Sequence, residues 1–211
     1  MQMQVLPFSR GKTFYGGRTI DTSNYDGVQL EGAEYARTNV LNASATGPNS
    51  GAFDDVMVVR NVSGINLLPG RLVRFQAGTA GRVDGYTSTS GGGGLVAGVV
   101  DPSLPAAGVP NGDLFYVVRG SRGCLLKTSI SANATFIAPG DILFAETAAS
   151  STGNTTAAGG RVVPLNSAGT FSAAQTTDGT AAGVAACRIV SLSARTTGQT
   201  NSDVLCSVRI N

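Results

Sequence analysis

Hydrophobic and polar positions divide the chain near residue 53. Before it, Gly, Asn, Thr, Ser and Asp interrupt every apolar pair, so neither a helical nor a strand period persists. After it, short β-branched runs alternate with Gly, Pro and Asn punctuation, which predicts many short strands joined by turns. The runs fall at 56–60, 72–75, 95–100, 114–119 and 124–127, then at 142–144, 161–163, 187–190 and 204–210. The last alternates, with Val204, Cys206 and Val208 on one face and Leu205 on the other. Val58, Leu72, Phe75, Val99, Phe115, Val117, Ile142, Phe144, Ile189 and Val208 are the expected core. Pro and Gly recur too often for long helices, and the one candidate helix is a short one over 32–38. The Gly/Ser/Thr/Ala-rich stretches 88–94, 147–160 and 171–180 read as surface loops.

The second half repeats the grammar of the first. Pro69-Gly70 entering an apolar run is answered by Pro139-Gly140, and Gly81-Arg82-Val83 by Gly160-Arg161-Val162. Gly98-Val99 is answered by Gly183-Val184, and 113–119 by 203–209. The offsets are 139 − 69 = 70, 160 − 81 = 79, 183 − 98 = 85 and 203 − 113 = 90, a growth that loop insertions in the second copy would produce. The fold class expected is all-β: a small barrel or sandwich built from two similar β-halves, the pseudo-repeat running over about 56–127 and 128–211. Residues 1–52 are expected to form an extended N-terminal arm and 53–211 the body. The arm carries Phe8, Phe14, Tyr15, Tyr25 and Tyr35 without a core of its own, which favours docking onto another surface over a free tail.

Composition narrows the function. Charged residues are 13% of the 211-residue chain, against roughly 25% in an ordinary soluble protein, as expected of a chain that lives against other protein surfaces. The net charge is +2 and the 15 cations are scattered singly, so nucleic acid is not an expected partner. No start-of-chain segment resembles a signal peptide and no apolar run is long enough for a spanning helix, so no membrane is expected either. Three distant cysteines imply no disulfide framework. Cys187 and Cys206 fall on runs that can neighbour one another, and the plain reading of both is a small buried apolar side chain.

Chemistry is poorly provided for. The chain has no histidine, which removes Ser-His-Asp and Cys-His catalysis, His-ligated zinc and the usual general base. Gly11-Lys12-Thr13 lacks the glycine five residues earlier that a phosphate loop needs. The run 21–27 has Tyr25 at a ligand position of a calcium loop, its glycine comes one place late, and no glutamate closes it. Asp54 and Asp55 are adjacent and, on a strand, point to opposite faces. Asp101, Asp113 and Asp141 read as turn residues. The expectation is a protein with no enzymatic activity and no cofactor.

The blocks resemble those of bacteriophage capsid decoration (head cement or stabilising) proteins. The likeness lies in the Pro-Gly turn entering 68–75, in Gly-Val-Val-Asp-Pro at 98–102, and in Pro-Ala-Ala-Gly-Val-Pro-Asn-Gly-Asp-Leu-Phe-Tyr-Val-Val-Arg-Gly at 105–120. It covers roughly residues 56–211, whereas the N-terminal segment departs from compact members of the family. The resemblance implies a structural virion protein on the outer surface of a capsid, made in the host cytoplasm. It would bridge adjacent major capsid protein subunits and form a homo-oligomer, for which a trimer is expected. In that role Phe8, Phe14, Tyr15, Tyr25 and Tyr35 would anchor the arm, and Arg10, Arg18 and Arg37 would pair with carboxylates of the shell. The alternatives are a tail, collar or fibre-base subunit, or a host-surface or carbohydrate-binding β-module.

Overall fold

Where the backbone pairs is set by the apolar runs. The computed structural model describes residues 12–13, 30–38, 53–85, 96–128, 137–145, 160, 162–164, 187–194 and 203–210. Among the described residues ten strands follow in order: β1 Glu34–Thr38, β2 Phe53–Asn61, β3 Leu72–Phe75, β4 Arg82–Gly85, β5 Val96–Val100, β6 Leu114–Lys127, β7 Ile142–Ala145, β8 Val162–Pro164, β9 Cys187–Ser191 and β10 Asp203–Ile210. There is no α-helix among the described residues, and the fold is all-β. Apart from Gly160, the three expected surface loops lie outside the described residues.

The ladders close on themselves. β2 pairs in parallel with β4, β4 with β3, β3 with β5, β5 with β6, and β6 returns antiparallel to β2. The second half pairs in the same order: β8 with β7, β7 with β9, β9 with β10, and β10 antiparallel to β6. An isolated parallel bridge from Thr128, just past β6, to Val162 of β8 completes that ring. The two Pro-Gly turns leading into β3 and β7 both place glycine at positive φ, Gly70 at 71° and Gly140 at 96°. β6 belongs to both rings. Its first part pairs with β2 and its second with β10, which is why one 14-residue strand runs where two were expected. Gly120-Ser121-Arg122-Gly123 has turn composition, but ladder partners on both sides of it keep the backbone extended.

Two buried clusters explain the unbroken apolar runs. In β2, Val56 and Val58 face one cluster and Met57 and Val59 the other. In β6, Leu114, Tyr116 and Val118 face the first, and Phe115 and Val117 the second. β3 divides Leu72 and Val73 in the same way. These strands form a wall with core on both sides, so they cannot alternate apolar with polar. β10, with one face inside, does alternate: Val204, Cys206, Val208 and Ile210 are buried and Leu205 is not.

Three expectations change. The stretch 32–38 is no helix. Seven residues are too few to nucleate one without packing help, and Glu34–Thr38 instead pairs residue for residue with Phe53–Met57 of β2. That strand falls within the stretch 1–52 read as an arm. In β7 the inward residue is Leu143, and its neighbour Ile142 is 42% exposed, as the two-residue period requires once Leu143 is committed to the core. Cys206 stands opposite Cys124 of β6, while Cys187 stands opposite Ile210.

Candidate functional site

Among the described residues, three buried charged side chains, Arg37, Asp54 and Asp101, gather around β1. Strand alternation turns Tyr35 and Arg37 toward the body, where Tyr35 packs partly buried against the larger cluster and Arg37 is almost fully buried. Arg37 Nη1 donates to Asp101 Oδ2 at 2.8 Å and Nη2 to Asp101 Oδ1 at 3.3 Å, a two-pronged grip that only a guanidinium can make. Its Nε lies 3.6 Å from Asp54 Oδ2, on the residue directly opposite Arg37 in the β1–β2 ladder. The Tyr116 ring centroid is 5.8 Å from the guanidinium carbon. Asp101 also accepts the Ser103 backbone N–H at 3.0 Å, which ties the turn after β5 to the same carboxylate. Two buried carboxylates therefore share one cation.

Just before β1, the Glu31 carboxylate receives Arg60 Nε through one oxygen and Arg82 Nε through the other, the latter at 3.0 Å. Gly32 N–H donates to Val58 O at 2.8 Å. The approach to β1 is thus clamped to β2 and β4. Replacing Glu31 with alanine leaves a largely buried Arg60 and a half-exposed Arg82 without that acceptor. The expected loss is about 1–3 kcal/mol in denaturant-midpoint measurements.

A cleft of about 390 Å³ opens where β1, β2, β6 and β10 meet. Glu34 and Asp55 supply two acids to its wall, Arg119 and Arg209 two cations, and Tyr35 and Ile210 an apolar floor. Glu34 and Arg119 form an ion pair at its edge. Asp55 points away from the core that buries Asp54, as their adjacency on a strand predicts. A shallow wall bearing both signs can pair with polar groups of either charge on a facing surface. No cluster of three or more metal-ligating His, Cys, Asp or Glu side chains occurs among the described residues.

Of the residues singled out in the sequence, the structure brings Tyr35 and Arg37 together on one face of β1 and gives both of them partners within the chain. Arg37, expected to pair with a carboxylate of the shell, holds Asp101 of its own chain. Phe8, Arg10, Phe14, Tyr15, Arg18 and Tyr25 lie outside the described residues. Sequence reasoning did not single out Glu31, Glu34, Arg119 or Arg209, and it read Asp101 as a turn residue and Asp54 only as the neighbour of Asp55. One signal was available: an inward acid on a strand needs a buried cation, and Asp54 or Asp55 had to be inward. No known family model matches the chain, and no curated protein matches it either.

Proposed function

We propose that this chain is a structural virion protein that binds the outer surface of a phage capsid and bridges adjacent major capsid protein subunits. The observation that carries the reading is the ordered set of phrases at 68–75, 98–102 and 105–120, with their echo in the second half. Those phrases now have a place in the fold. They form β3, the end of β5, an exposed Pro105-Ala106-Ala107 turn closed by the Leu67–Val109 bridge, and β6. The matching order of ladders in the two halves supports the same reading. So does the treatment of charge: several of the few charged side chains are spent inside the chain, and the mixed-sign cleft lies beside β1. A body of this kind stiffens a shell by adding contact area at many equivalent junctions, where small gains multiply.

Residues 1–29 precede the clamp at Glu31 and are the segment proposed to reach across neighbouring subunits. Deleting them is expected to leave the melting temperature of the body unchanged. The same deletion should weaken binding to capsid shells by more than about tenfold, since one aromatic hot spot alone carries ~2 kcal/mol. Co-sedimentation with shells lacking the protein, alongside a reconstruction of the particle, makes the test. Copies spread over the whole shell support the reading. Confinement to a ring at the tail, glycan binding by the purified chain, or absence from the particle would overturn it.

A further inference from the structure

Cys124 and Cys206 face each other in the β6–β10 ladder, which joins the two halves. They are Cα partners in the antiparallel β6–β10 ladder, their side chains are 3% and 0% exposed, and both belong to the same buried cluster. Both are free thiols. Directly opposed residues of an antiparallel pair have Cα atoms about 4.5–5.5 Å apart, within the ~4.4–6.8 Å that a disulfide spans. Their Cβ atoms need to approach by roughly 1 Å to reach bonding geometry. The ladder has room for this: its register shifts between Cys206 and Val208, and Gly123 precedes Cys124.

We infer that Cys124 and Cys206 are a cross-strand oxidation site, at which a small-molecule disulfide such as oxidised glutathione closes a bond fastening β10 to β6. The thiolate of one cysteine attacks the reagent, forming a mixed disulfide and releasing one small thiol. The second protein thiolate then displaces the other small thiol. The two protein thiols lose two protons and two electrons, and the reagent disulfide takes them up as two thiols. The inference does not rest on the capsid reading, since it concerns the body alone.

The same site sets a slow rate. Burial first, then Asp54, Cys206 and Asp101 nearby, raise the Cys124 thiol well above its ordinary value against the opposing pull of Arg37, and burial pushes Cys206 up to about 12. Little thiolate exists near neutral pH, and the reagent reaches it only when the seam opens. Oxidation is therefore slow, and it accelerates with alkaline pH and with mild denaturant. Cys187 is excluded by position. It pairs opposite Ile210, four residues along β10 from Cys206, which is about 13 Å at strand rise and beyond any disulfide.

The test compares pairing in the folded and unfolded full-length chain. Reduced protein is incubated with oxidised glutathione at mildly alkaline pH, the remaining thiols are alkylated, and the non-reduced digest is mapped. The folded chain is expected to lose two alkylatable thiols and two hydrogens of mass, and to give only the 124–206 link, with a raised melting temperature. In denaturant, loop closure favours the nearest pair instead: 206 − 187 = 19 residues against 206 − 124 = 82. The Cys187→Ser chain should still form the bond when folded, and the Cys206→Val chain should form none. A folded-state link that includes Cys187 overturns the inference. So does a product carrying glutathione on Cys124 or Cys206 without closure, or three intact thiols after exposure to denaturant too dilute to unfold the chain.

Discussion

Replacing Arg37 with alanine is expected to destabilise the protein by about 3–5 kcal/mol, because it takes the cation from two buried carboxylates rather than one. Asp101 is 1% exposed and Asp54 3%, so water does not replace the lost guanidinium without opening the β1–β2 edge. The change also removes the contact over Tyr116 that helps seat β1. Equilibrium denaturation measures the loss, and amide exchange in β1 should quicken more than in β6. Arg37→Lys keeps the charge but not the two-pronged grip, and should fall between wild type and alanine. Removing Asp101 together with Arg37 should recover part of the loss, which a double-mutant cycle reads directly. A loss below about 1 kcal/mol for Arg37→Ala would mean that the carboxylates reach solvent and the cluster is not a closed one.

Gly160→Ala is expected to cost about 2–5 kcal/mol, combining left-handed backbone strain with a collision. Gly160 has φ of 77°, and a Cβ there would sit 2.2 Å from Leu72 O. That carbonyl is backbone and cannot swing aside. The residue also accepts the Leu72 N–H at 2.7 Å, so the collision strikes a hydrogen bond that ties the second half to β3. Gly78 separates the two causes. It has φ of 78° but open space around its would-be Cβ, so Gly78→Ala should show the strain alone, about 1 kcal/mol. Thermal or chemical denaturation of the two variants side by side checks this. Equal losses would remove the packing argument.

Much of the fold was legible because the strands are short and turn-bounded. The runs at 72–75 and 142–144 follow Pro-Gly turns and became β3 and β7 with little change. β1 was not legible. Glu34–Thr38 has the length of a helical turn, and only its partner across the ladder makes it a strand. The same limit governs the site. Period-two alternation separates Asp54 from Asp55, but nothing local says that Arg37 and Asp101, 64 residues apart, will meet. Cysteine pairing followed the same rule. Cys187 is the nearer to Cys206 in sequence, yet long-range register sets Cys124 opposite it. Alternation tells which way a side chain points, and topology tells what it meets.

One strand with two employers has a mechanical meaning. Because β6 runs unbroken from the first ring into the second, the two rings share a stave, and a cut after Lys127 would rob the latter of it. A push on either ring travels to the other along one continuous strand. The molecule should bend as a single beam.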